Sequence, residues 1–278
     1  MKTILVPTEQ HELTPSILQS AFLLAKRFDS YIEGFALFPS LVELYALDSE
    51  ISLPLEVKEH DAEMAKQVRA SFEGFMRERD VARSQRKNAS ISFDWLDDAP
   101  DGDAFVGSYG RVFDVIVAGR PMGGTAVRPS LATIEAVLFE AGRPVLIAPP
   151  TPPQTMGDNI LIAWNCSTEQ ATTMALAMPL LRQASGVVVL TVEGGTVPGP
   201  SGEQVACYLE RHGVASQPIT AKPQGRSTGE VVLAQAASLN CDLLIKGAYT
   251  QSRLRQMIFG GATRHILANA ALPVLMAR

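Results

Sequence analysis

The residues best suited to chemistry lie near the C-terminus, in GAYTQSRLRQMIFGGATRH, residues 247–265. Gly247 follows the apolar run Leu243-Leu244-Ile245, and Gly260-Gly261 precede Ala262–Ala268, which has a helical pattern. Backbone N–H groups in a turn after a strand can form an anion-binding concavity. The first N–H groups of a helix have no intrahelical partners and carry partial positive charge. Glycine lets backbone approach a ligand closely. The two glycine sites could therefore clamp a polyphosphate between turn and helix start, with Ser252, Arg253 and Arg255 as added donors. The same residues also suit an ordinary strand-to-helix turn carrying solvated arginines. Spacing alone leaves both readings open.

The elements that would position this stretch occur twice. MKTILVPTE resembles GDNILIAWN, FDVIVAGRP resembles CDLLIKGAY, and RPVLIAPP resembles LPVLMAR. The join is TPPQTMGD, so the expected domains are 1–153 and 154–278. The first copy is the longer, with its insertion placed at about residues 40–85. Each copy alternates short apolar runs with helical periodicity. Strands are expected at 4–6, 31–37, 91–95, 115–118 and 145–148, then at 160–163, 187–192, 216–221, 243–245 and 274–276. Thr14-Pro15 reads as a helix start with Thr14 as the cap, and residues 171–181 as one helix. Such alternation predicts two tandem five-stranded α/β domains with parallel, doubly wound sheets. Ligands of such sheets lie outside the carboxyl ends of the strands. In the second copy those ends are Trp164-Asn165-Cys166, Glu193 and Gly247 onward.

Composition narrows the function. Of 278 residues, 46% are hydrophobic and 19% charged, which supports a large buried core. The net charge of −5 argues against a dedicated nucleic-acid surface. Cys166, Cys207 and Cys241 are odd in number and form no CxxC, so neither a disulfide framework nor a cysteine zinc site is expected. No apolar run approaches ~18 residues, and the N-terminal apolar segment is too short for a signal peptide. The expectation is a cytoplasmic protein without membrane or nucleic-acid partners. No nucleophile elbow, Walker loop or G-x-G-x-x-G turn is present. Asp97-Asp98 and Asp101–Asp103 read as acid before a helix near 103. His11, His60, His212 and His265 are scattered.

The C-terminal stretch resembles the signature of the universal stress protein family: G, two residues, G, nine residues, G, then Ser or Thr. Gly247 matches the first glycine and Gly260 the third. AWNCSTEQA at 163–171, GRSTGEVVLAQA at 225–236 and SRLRQMIFGGATRHILANAALPVLMAR are similar to tandem family members. The resemblance implies Rossmann-like domains related by a pseudo-twofold, pairing of the two domains within the chain, a homodimer, and in some members ATP binding. It implies cofactor contacts from Ala163, Trp164, Asn165, Gly247, Thr250, Ser252, Arg253, Gly260, Gly261, Ala262 and Thr263, to ATP or another adenine nucleotide, with Mg2+ accompanying it.

Three positions depart from that pattern. Thr250 replaces the second glycine, and a β-branched residue is unfavourable where φ > 0 is needed. Gly261 replaces the Ser or Thr whose hydroxyl would reach phosphate, leaving Thr263 as a substitute two positions on. Asn165 replaces an aspartate, keeping an acceptor for a ribose hydroxyl but losing the charge. In the first copy, Gly119 aligns with the first glycine, but Met122, Ala132 and Thr133 fall at the remaining motif positions, and Glu9 stands for the aspartate. No phosphate clamp is expected there, and the loop RPMGGTAVRPS is read as a packing or mobile segment. Two functions follow: an adenine-nucleotide signalling module, hydrolysing ATP slowly at most, or a scaffold acting through an unknown protein partner.

Overall fold

The computed structural model describes residues 1–39, 54–84, 90–121, 129–248 and 260–278. The chain divides into two compact units, Met1–Pro152 and Pro153–Arg278. In the first, the elements run β1 (Thr3–Thr8), α1 (Thr14–Phe28), β2 (Tyr31–Ala36), α2 (Pro54–Arg77), β3 (Ala82–Arg83), β4 (Ser92–Trp95), α3 (Asp103–Tyr109), β5 (Val115–Ala118), α4 (Leu131–Ala136) and β6 (Val145–Ile147). A π-helical stretch, Val137–Ala141, extends α4. All its strands are parallel, in the order β3-β4-β2-β1-β5-β6. Ile4, Leu5 and Val6 are fully buried, as a central strand covered on both faces requires.

The second unit runs β7 (Asn159–Trp164), α5 (Thr168–Leu176), α6 (Met178–Leu181), β8 (Gly186–Val192), α7 (Gly202–Arg211), β9 (Gln217–Ala221), α8 (Thr228–Ser238), β10 (Leu243–Gly247), α9 (Gly261–Asn269) and β11 (Val274–Ala277). Its strands are also parallel, in the order β11-β10-β7-β8-β9. From β7 the chain winds outward through β8 and β9, then crosses back to β10. The connections after β7 and β10 therefore leave on opposite sides, which opens a crevice at the carboxyl ends of these strands.

The α/β class and the parallel sheets read from the sequence are the observed fold. Three local details differ. The first unit adds the two-residue edge strand β3 to the expected five. Thr14 does not cap α1: its hydroxyl donates to the carbonyls of Glu9 and His11, and Leu13 occupies the cap position. Residues 171–181 form two helices, because Pro179 has no N–H to give the carbonyl of Ala175.

Candidate functional site

The crevice of the second unit has a volume of about 50 Å3 and is lined by residues from three strands and two helices, with Leu190 and Val192 of β8 among them. Ala163, Trp164 and Asn165 come from the end of β7, Thr228 from the start of α8, Lys246 from the end of β10, and Ala262 from the first turn of α9. Lys246 is 8% exposed. Its Nζ donates to the carbonyl of Gly247 at 3.0 Å, and burial pushes its pKa down to about 8. An amine held in this way gains from an anion beside it. Helix α9 begins at Gly261 with Gly260 as its cap residue, and among the described residues no side chain caps it.

The first unit builds the same corner differently. Its helix after β5, α4, starts behind Ser130, whose hydroxyl accepts from the N–H of Thr133 at 3.2 Å. The carboxylate of Asp103, at the start of α3, receives the Thr133 hydroxyl at 2.6 Å and the Ser130 hydroxyl at 3.4 Å. The first unit therefore brings its own acid to that helix start. In the second unit Gly260 stands where Ser130 stands, and Thr228 stands where Asp103 stands. The cap and the carboxylate are replaced, Thr263 keeps the place of Thr133, and a buried lysine, Lys246, lines the corner. Ser130→Ala is expected to cost the first unit about 1 kcal/mol in chemical denaturation, since it removes a side-chain cap.

This corner also corrects one reading of the sequence. A fixed repeat offset paired Ala132 and Thr133 with the last motif positions. The helix starts pair Ser130 with Gly260, because the connection after Gly119 is shorter than the one after Gly247.

The individual site residues are distributed unevenly. Ala163, Trp164, Asn165 and Ala262 line the crevice. The Trp164 indole is 4% exposed and its Nε1 donates to the carbonyl of Pro200 at 2.8 Å, so the ring is a fixed wall. The Asn165 side-chain oxygen accepts from the N–H of Ser167 at 3.2 Å, which orders the turn into α5. Gly247 is held by packing. A Cβ there would lie 2.5 Å from the backbone nitrogen of Gln170, and its own N–H is given to the Gln170 side-chain oxygen at 2.5 Å. Its amide is therefore not presented to a ligand. Thr263 is 5% exposed and is not among the crevice residues, so its hydroxyl does not take the place of the missing Ser or Thr. Gly260 and Gly261 have no described neighbour that a Cβ would meet. Thr250, Ser252, Arg253, Arg255 and Met122 lie outside the described residues.

Sequence reasoning missed Lys246 and Thr228. Lys246 was visible as the one charge in the strand LLIKG, and Thr228 as the residue after the Ser227 cap. Cys166 donates to the Pro200 carbonyl, and burial pushes its thiol above the ordinary value, away from reactivity. Among the described residues no group of His, Cys, Asp or Glu is arranged to hold a metal ion, and no helix is long and apolar enough to cross a membrane.

Residues 156–278 match the universal stress protein family. No curated protein matches the chain by sequence. Among solved structures, the chain is similar to a universal stress protein from Archaeoglobus fulgidus, with a TM-score of 0.73 and 13% identity over 99% of this chain and 98% of that one. It is also similar to a candidate universal stress protein from Pseudomonas aeruginosa, with a TM-score of 0.55 and 15% identity over 100% and 93%. At these identities the structures speak for the fold alone. The sequence match covers residues 156–278, so it is the second unit that matches the universal stress protein family.

Proposed function

We propose that this protein is a stress-response signalling module whose second unit binds an adenine nucleotide, ATP foremost, by its phosphates. The observation that carries the reading is the meeting of a buried amine, Lys246, with the helix start at Gly261, which no described side chain caps, in one crevice. The N–H groups of Gly261, Ala262 and Thr263 and the Lys246 amine would take the phosphates. Thr228 and Asn165 would offer polar contacts to the sugar. The described crevice residues include no carboxylate or histidine, so Mg2+ would arrive on the phosphates, and binding rather than turnover is the proposed role.

The crevice volume of about 50 Å3 fits a phosphate group. It is well below the ~300 Å3 or more of ordinary small-molecule pockets. Nucleoside entry thus requires the crevice to widen. That figure, with Trp164 locked on Pro200, favours a second reading: a scaffold working through protein–protein contacts. Calorimetry on the full chain separates them. Saturable heat with ATP and ADP, and affinity at least about tenfold weaker for AMP, is the expected result, because the polyphosphate supplies the charge-assisted contacts. Equal binding of all three would shift the site to adenosine. No heat from any of them would leave the scaffold.

A further inference from the structure

A second and larger cavity lies wholly within the first unit, between α1 and α2 on the side of the sheet that these helices cover. Its volume is about 660 Å3. That falls inside the range of small-molecule sites, ~300–1,000 Å3. Leu18, Val68 and Phe75 form apolar walls, and Glu9 and His11, just after β1, form a polar end. The guanidinium of Arg79 lies 3.5 Å from the Phe75 ring centroid and donates to the Gln19 side chain and to the Phe75 carbonyl. Two of its five donors are engaged in this way, and Nη1 also lies 3.7 Å from the Glu78 carboxylate, which balances its charge at the wall.

The polar end is unusual. The His11 side chain is 9% exposed and that of Glu9 is 8% exposed. The His11 Nδ1 accepts from the N–H of Leu13 at 3.0 Å, so in the neutral ring the proton sits on Nε2. That Nε2 is buried without a hydrogen-bond partner. The nearest Glu9 oxygen is 3.6 Å away, beyond hydrogen-bond reach. Buried polar groups in native structures are nearly always paired, so an orphan donor at the end of a cavity calls for an occupant.

The chemistry of that occupant is narrow. The atom between the two side chains must accept from the Nε2–H and donate to a carboxylate. A hydroxyl does both. An ammonium cannot accept, and a carboxylate or phosphate would be repelled by Glu9. The walls call for an apolar body, flat enough to lie along Phe75. We propose that the first unit binds a neutral hydroxylated aromatic molecule of the phenol class, with its hydroxyl bridging His11 and Glu9.

The test uses the full chain and three probes of one shape: 2-naphthol, 2-methoxynaphthalene and naphthalene, followed by probe fluorescence. Saturable 2-naphthol binding is expected, with the methoxy compound about tenfold weaker because it accepts but cannot donate. His11→Phe should weaken 2-naphthol by about tenfold and leave 2-methoxynaphthalene within about twofold. Equal affinity for the three probes, no saturation by 2-naphthol, or an unchanged His11→Phe variant overturns the proposal and leaves the cavity to water. If His11→Phe does not fold, the probe series on the unaltered chain decides alone. ATP does not enter this experiment, so its outcome is independent of the second unit's ligand.

Discussion

Gly247→Ala is expected to destabilise the second unit by about 3 kcal/mol, whereas Gly261→Ala should leave its stability unchanged or raise it by about 0.5 kcal/mol. The new methyl at position 247 would lie 2.5 Å from the backbone nitrogen of Gln170, 2.7 Å from the carbonyl carbon of Glu169 and 2.8 Å from the Gln170 Cα. All three belong to the first turn of α5, and backbone cannot swing aside as a side chain can. Relief requires moving the helix. That movement would strain the bond from the Gly247 N–H to Gln170 and the bond from the Thr173 hydroxyl to the Ala277 carbonyl at 3.1 Å. At position 261 the methyl meets no described atom and joins the first turn of α9, where alanine is the better helix former. Urea denaturation of both variants measures the pair. A Gly247→Ala protein as stable as the parent would refute the packing role. A Gly261→Ala protein that keeps its stability and loses ATP affinity would place the ligand at that helix start.

The two glycines show how much could be read in advance. Both were visible as punctuation around one loop, and the sequence assigned them one shared role. In the folded protein their roles differ, because a close approach between helix and strand ends is a tertiary fact that no local pattern encodes. The strands were legible for a simple reason: runs such as Ile4-Leu5-Val6 and Leu243-Leu244-Ile245 are apolar without interruption, which suits only a sheet covered on both faces. Helix ends were less legible. Thr14 has the right type for a cap but turns its hydroxyl back to Glu9 and His11. A single charge in a short strand, such as Lys246, has no periodicity to interpret, and only the fold places it beside the start of α9. The correspondence of Ser130 with Gly260 was hidden by unequal loop lengths. Once the helix starts are matched, the first unit is seen to bring an acid of its own to that corner: the Asp103 carboxylate.

Lys246→Met is expected to separate stability from binding. Burial lowers the folded-state pKa of Lys246 to about 8, below its ordinary 10.5. Below pH 8 both the folded and the unfolded chain carry the proton, and the folded chain bears the full cost of the buried charge. Between pH 8 and 10.5 the unfolded chain still holds the proton while the folded chain has released it, so stability rises with pH across that window. The whole rise amounts to about 3 kcal/mol. Cys241 opposes it. Burial first, and Asp242 beside it, push this thiol up to about 11, so its contribution is lost as pH climbs from 9 to 11. Subtracting the Lys246→Met curve from that of the parent isolates the lysine. Methionine keeps most of the apolar stem and removes the charge, so the variant should be more stable than the parent at neutral pH. A bound phosphate acts in the opposite direction on the parent: it favours the charged amine, raises its pKa and draws in a proton near pH 8. ATP affinity should therefore fall as pH rises through 8, and Lys246→Met should bind ATP at least about tenfold more weakly at neutral pH. Denaturation and calorimetry on the same two proteins provide both readings. A variant that is less stable and binds ATP as tightly as the parent would show the amine to be a structural strut, and the nucleotide reading would lose its main support.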